Sequence, residues 1–215
     1  MIQAAAASLV YQDHGKEVFA CRNVDLQVAP GEFLGILGPS GSGKSSLLYM
    51  LSGLKTPTSG VISFEGHPVS AMSDGERSHL RQTHFGFVFQ HSFLIGYLTA
   101  LENVRLAAAN SQGGSQAEDL LEALGLAEKM HRHPYELSGG ERQRVCVARA
   151  LLGERKAIFA DEPTAALDHA NGEMVIRLLA ANRGSGSLVV VTHDPSMLTE
   201  ADRIVQMADG EILSP

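Results

Sequence analysis

The residues with the clearest chemical capacity are Gly38-Pro39-Ser40-Gly41-Ser42-Gly43-Lys44-Ser45, spaced as G-x-x-x-x-G-K-S. Glycines in such a run let consecutive backbone N–H groups turn toward an anion with no side chain in the way. Lys44 supplies a cation for the terminal phosphates of a nucleoside triphosphate. The Ser45 hydroxyl can join the oxygen shell of a Mg²⁺ ion. Two carboxylates, Asp161 and Glu162, close a second apolar run. Asp161 suits a metal held through a water, and Glu162, pointing differently, suits orienting a water and accepting its proton. Leu137-Ser138-Gly139-Gly140-Glu141 is a third group. Ser138 and Glu141 have capping-box spacing, and the two glycines leave the first N–H groups of a helix uncovered. One chain has little need of two phosphate cradles, whereas two copies arranged head-to-tail each need one from the other.

These groups require particular elements behind them. The run Phe33-Leu34-Gly35-Ile36-Leu37 predicts a buried strand leading into the phosphate loop, and Ser45 to Leu51 predicts a helix leaving it. Strands are also expected at Ser8–Tyr11, Val18–Val28, Val61–Phe64, Phe85–Phe89, Ala157–Ala160 and Leu188–Val191, with a closing hairpin over 203–213. Ser73 with Glu76, Thr99 with Glu102, Ser115 with Glu118, and Ser138 with Glu141 predict helix starts. Gly113-Gly114 and Gly125 punctuate a mostly helical stretch from 91 to 152, and a further helix is expected from Asp168 to Ala181. Gln90 and His193 each follow a strand. An amide oxygen at Gln90 can meet Mg²⁺ or a water, although glutamine is common at strand ends. Tyr11 suits either stacking on a purine or packing in a core.

At 215 residues and 44% hydrophobic content the chain suits one large α/β domain. A balance of 17 basic against 24 acidic residues, −7 overall, offers no basic stripe and argues against a nucleic-acid partner. Arg142, Arg144 and Arg149 on a helix are expected to be solvated or ion-paired. Two distant cysteines, Cys21 and Cys146, suggest a reducing compartment and no structural metal. No run approaches the about 20 apolar residues of a membrane span, and the first residues lack a leader pattern, so a cytoplasmic location is expected.

In order and spacing these motifs resemble the nucleotide-binding subunit of ATP-binding-cassette (ABC) transporters, over essentially the whole chain. The Leu-Ser-Gly-Gly-Glu segment is the most specific element of the resemblance. It implies an α/β P-loop NTPase core with an antiparallel β flap and an inserted helical subdomain, as a single nucleotide-binding domain over 1–215. Residues 1–90 and 153–215 would form the catalytic core, and 91–152 the helical part. By resemblance Tyr11 stacks on the base, Gly38 to Ser45 with Ser46 bind the phosphates, and Gln90 is the Q-loop residue. Ser138, Gly139, Gly140 and Glu141 belong to the signature. Asp161 is the Walker B aspartate, Glu162 the catalytic glutamate, Asp168 a D-loop residue and His193 the switch histidine. Ser45, Gln90 and Asp161 would hold Mg²⁺. Ser46 replaces a common threonine and keeps its hydroxyl. Ala165 and Ala166 replace small polar residues ahead of Leu167-Asp168.

Phe89-Gln90-His91-Ser92-Phe93-Leu94, Leu98 to Val104, Pro57 to Gly60 and Glu141 to Val145 are similar to the lipoprotein-releasing and macrolide-exporter group. This implies ATP with Mg²⁺ as ligands, a second copy and integral membrane subunits as partners, and a peripheral place on the inner face of the membrane. Phe93, Leu94, Ile95, Tyr97 and Leu98 suit either a groove for a partner's helix or the helical part's own core. ATP-driven signalling to a cell-wall enzyme is a rival expectation. A soluble ATPase on DNA or ribosomes, and nutrient import, fit less well.

Overall fold

The computed structural model of the protein describes residues 1–108 and 113–213. Besides short 3₁₀ turns, its elements run in chain order β1 (Ile2–Asp13), β2 (Lys16–Val28), β3 (Phe33–Leu37), α1 (Lys44–Leu51), β4 (Ser59–Phe64), β5 (His67–Pro68), α2 (Asp74–His84) and β6 (Phe85–Val88). They continue with α3 (Ala100–Arg105), α4 (Gly113–Ala123), α5 (Gly139–Leu151), β7 (Ala157–Asp161), α6 (His169–Asn182), β8 (Ser187–Thr192), β9 (Arg203–Ala208) and β10 (Glu211–Leu213). The chain divides into two units, Met1–Arg81 with Val189–Pro215, and Gln82–Leu188.

In the first unit β2-β1-β4-β5 form an antiparallel sheet. His14 and Gly15, both at positive φ (47° and 79°), turn β1 into β2 and set Asp13 opposite Lys16. Two consecutive positive-φ residues match the right-handed twist of a tight hairpin. The first strand is longer than Ser8–Tyr11. It begins at Ile2 and includes the alanine run, because β2 and β4 flank it on both sides. Ladder hydrogen bonds and the burial of Ala4 and Ala7 override the weak strand preference of alanine. Strands β10, β9, β3 and β8 lie side by side in that order. β3 pairs parallel with β9, Leu34 opposite Arg203. Phe33, Leu34 and Ile36 are fully buried, as a parallel strand covered on both faces requires.

In the second unit β6 pairs parallel with β7, Phe85 opposite Ala157, and Phe85 meets Phe159 edge to face at 5.1 Å. Helix α5 packs against β6 so tightly that a Cβ at Gly86 would stand 2.2 Å from the Ala150 carbonyl oxygen. Helix α4 starts at Gly113, ahead of the expected cap at Ser115. The Glu118 carboxylate that would have closed that cap instead pairs with Arg105 at 2.7 Å. The expected ion-paired arginines also differ. Arg142 donates to the Pro134 and Leu137 carbonyls, and Arg149 to those of Ser92 and Phe93. Both anchor loop backbone by its carbonyls.

Candidate functional site: a phosphate loop and a capped glycine helix

The first unit carries the phosphate loop, and its glycines answer to identifiable neighbours. A Cβ at Gly38 would sit 2.2 Å from the Met207 carbonyl oxygen, and one at Gly43 2.0 Å from that of Ala20. Strands β9 and β2 therefore press the loop from behind. Gly43 also holds φ 97° as the N-cap of α1 and supplies no side-chain cap, and a helix start of this kind presents its positive end toward the loop. Gly41, at φ 81°, has nothing within 4 Å of an added Cβ. Lys44 is 5% exposed, and its ammonium crosses the loop to the carbonyls of Gly38 and Pro39 at 2.8 and 2.9 Å. The buried Ser42 Oγ finds no partner among the described residues. An unpaired buried hydroxyl costs about 1–3 kcal/mol, which a phosphate oxygen would offset. This loop fits a polyphosphate.

His193 follows β8 and is exposed. It lines a cavity of about 300 Å³ with Gly38, Pro39, Pro195 and Met207, so the histidine and the start of the loop share one space. Tyr11 is 40% exposed on β1, with the Lys55 ammonium 5.9 Å from its ring centroid. Of its two readings, the core one is excluded. Ser45 and Ser46 lie half-buried in the first turn of α1.

The second unit carries the other groups. Ser138 caps α5 by accepting from the Glu141 N–H at 3.3 Å, and the Glu141 carboxylate accepts from the Ser138 N–H at 2.8 Å. The Lys129 ammonium stands 3.2 Å from Glu141. Hydrogen bonding to Ser138, chiefly its backbone, holds the Glu141 carboxyl below its ordinary range. Gly139 and Gly140 behave unlike the loop glycines. Neither has positive φ, and an added Cβ would meet Ala166 O at 3.9 Å or Leu167 Cδ2 at 3.6 Å as its nearest neighbour. Packing within the chain does not require glycine at either position.

Asp161 ends β7 at 6% exposure, and Glu162 follows with φ 45°, a conformation a non-glycine residue seldom adopts. Asp168 caps α6, accepting from the Asn171 N–H at 3.0 Å and its amide at 2.6 Å. Those bonds, the backbone one first, lower its pKa. Gln90 is exposed, two residues beyond the end of β6. A serine hydroxyl, an amide and a carboxylate are hard oxygen donors of the kind Mg²⁺ takes beside phosphate and water; Ser45 of the first unit and Gln90 and Asp161 of the second are each such a donor.

A sequence profile described as "ABC transporter" matches residues 21–165. The chain belongs to the ABC transporter family. This ABC cassette is 41% identical, over 99% of its length, to the macrolide export ATP-binding/permease protein MacB of Wolinella succinogenes, of which it spans 34%. It is 45% identical to the lipoprotein-releasing system ATP-binding protein LolD of Aquifex aeolicus, covering 89% of this chain and 88% of that one. The chain thus spans about a third of the MacB relatives and most of the LolD relative. Among solved structures, the ATP-binding cassette MJ0796, a dimer in a post-hydrolysis state bound to ADP and Pi, superposes with a TM-score of 0.92 at 36% identity. That alignment covers 100% of this chain and 97% of the other. The ABC cassette is an ATPase built on an α/β P-loop fold, and it is similar to the ATP-binding proteins of lipoprotein-releasing and macrolide-export systems. Among the described residues no helix is long and apolar enough to cross a membrane.

The motif reading overlooked Gln143, Asn171 and Lys55. Gln143 was detectable in principle: it shares the buried face of α5 with Val147 and Ala150 at i+4 and i+7, where a polar residue is out of place. Asn171, three residues after Asp168, was open to the same cap arithmetic. Lys55 carried no local signal.

Proposed function

We propose that two copies of the chain bind two ATP·Mg²⁺ at a shared head-to-tail interface, and that closure drives a membrane partner with an extracytoplasmic domain. The reading includes export of lipoprotein, peptide or drug type as the cargo class. Lys44, the loop N–H groups, Ser138 of the second copy and His193 stabilise charge on the transferring phosphoryl group. Glu162 orients the attacking water and accepts its proton. Tyr11 stacks on the base, with Gly38 to Ser46 around the phosphates. Ser45, Gln90 and Asp161 would hold Mg²⁺, which would supply charge neutralisation on the phosphate oxygens.

One observation carries this reading: Gly139 and Gly140 sit bare at the start of α5 although nothing in their own chain needs the space. A second copy's triphosphate is the occupant that makes two glycines intelligible. The dimeric MJ0796 cassette and the MacB and LolD relatives support it.

The test is the oligomeric state of Glu162→Gln with ATP, measured by light scattering, with and without Gly139→Ala. Glu162→Gln should bind ATP, lose turnover and form a stable dimer. The double variant should stay monomeric, with a melting temperature equal to or above that of Glu162→Gln, since alanine is the better helix former by about 0.5–1 kcal/mol. A double variant that still dimerises on ATP, or unimpaired hydrolysis by Glu162→Gln, would overturn the reading.

A further inference from the structure

Helix α5 also grips two loops from its buried side. Gln143, one turn in from Ser138, is 4% exposed. Its amide nitrogen donates to the Phe89 carbonyl at 3.1 Å and to the Pro163 carbonyl at 2.9 Å. Phe89 immediately precedes Gln90, and Pro163 immediately follows Glu162. Further along the same face, at i+3 and i+6, Cys146 Sγ lies 2.9 Å from the Ser92 carbonyl, and Arg149 donates to Ser92 at 3.1 Å and Phe93 at 3.0 Å. The segment carrying Gln90 is therefore held on either side by one helix face. Of the three side chains in this row, Gln143 is the one that also reaches the segment carrying Asp161 and Glu162.

We propose that Gln143 is a positioning residue, fastening the Gln90 loop and the Asp161-Glu162-Pro163 segment to each other in the arrangement that hydrolysis needs. This rests on the reading of Glu162 and Gln90 as parts of the ATP-hydrolysing site. Both groups facing Gln143 are carbonyl acceptors, so the amide must present its nitrogen, and each of its two hydrogens is used. An ionised glutamate of the same shape has no hydrogen to give and sets oxygen against oxygen. A methionine fills the same space and leaves both carbonyls unpaired, at a buried location where that is expensive. Gln143 acts through these two backbone groups and needs no contact with nucleotide. Its loss should therefore be felt in the chemical step, where a displacement of about 1 Å can cost a hundredfold.

The experiment is steady-state ATP hydrolysis by the purified full chain and its Gln143→Met and Gln143→Glu variants, alongside their melting curves. Both variants should show kcat lowered about tenfold to a hundredfold, with KM for ATP within about twofold of the unaltered protein. A residue that only packs the helix would shift the melting temperature and leave kcat alone, and that result overturns the proposal. So does a loss in which kcat is kept and KM rises. If either variant fails to fold, Gln143→Asn keeps both hydrogens but draws them back by one methylene. It should lower kcat in the same direction, and unchanged kcat there also counts against Gln143. An unaltered chain that hydrolyses no ATP would overturn the underlying ATPase-site reading instead. Active unaltered protein with an equally active Gln143→Met overturns the Gln143 assignment alone.

Discussion

Lys44 does two things at once. Its ammonium spans the loop to two carbonyls of the same turn, and so it fixes a positive charge at the loop. Lys44→Ala removes the cation and leaves the Gly38 and Pro39 carbonyls without that donor. It should weaken ATP binding by at least about a hundredfold, or about 2.7 kcal/mol, as read by calorimetric titration. Normal affinity in that variant would count against the phosphate-loop assignment. Glu162 is the other residue whose backbone is informative. A glutamate at φ 45° carries strain, of order 1–3 kcal/mol, that the surrounding chain must hold in place. The two cysteines offer no such chemistry: burial pushes the Cys21 thiol up to about 12 and the Cys146 thiol up to about 11.

At the scale of the element, helix starts are built by one recurring device. Ser73 with Glu76, Thr99 with Glu102, His133 with Glu136, and Ser138 with Glu141 each exchange side-chain and backbone hydrogen bonds. The backbone and side-chain bonds lower the pKa of all four glutamates, and Glu136 falls to about 2, chiefly through the His133 N–H and then Arg132. A carboxylate depressed in the folded state contributes stability that is complete above its unfolded value near 4.5 and is lost as pH falls through its folded value. The melting temperature should therefore decline as pH drops below 4.5, and for Glu136 the decline should continue to about 2. Glu136→Gln, which cannot titrate, should flatten its share of that slope in a pH series of unfolding curves. A slope identical to that of the unaltered protein would show that this cap is not part of the titration.

For the whole molecule, the question is what the cassette drives. Phe93 and Tyr97 are 67% and 80% exposed, and Leu94, Ile95 and Leu98 are half-buried, so these side chains are not the core of their own unit. They favour the groove reading over the packing one. Tagged Glu162→Gln with ATP, applied to detergent-solubilised native membranes, should retain a membrane protein with few spans and a large extracytoplasmic domain. Phe93→Ser with Tyr97→Ser in the same background should lose that partner while keeping the ATP-dependent dimer. Retention of a many-spanning permease with a substrate-binding protein would point to import. Recovery of a cell-wall enzyme with the membrane subunit would favour mechanical signalling over transport.

Sequence alone determined the parts of this protein that depend on neighbouring residues. The phosphate loop, the paired carboxylates, the Ser138-to-Glu141 helix start and most strand positions are local backbone chemistry with fixed spacing, so they are legible without a fold. Their exceptions are local rules overruled from a distance. The alanine run became strand because partners lie on both sides of it, and the Ser115 cap lost its glutamate to Arg105. What lay beyond reading was whatever joins residues far apart in the chain. The carbonyls of Ala20 and Met207 press Gly43 and Gly38, and Gln143 bridges to Phe89 and Pro163 across 54 and 20 residues. No spacing encodes such contacts, because each exists only once packing has brought a residue on one element against a carbonyl on another.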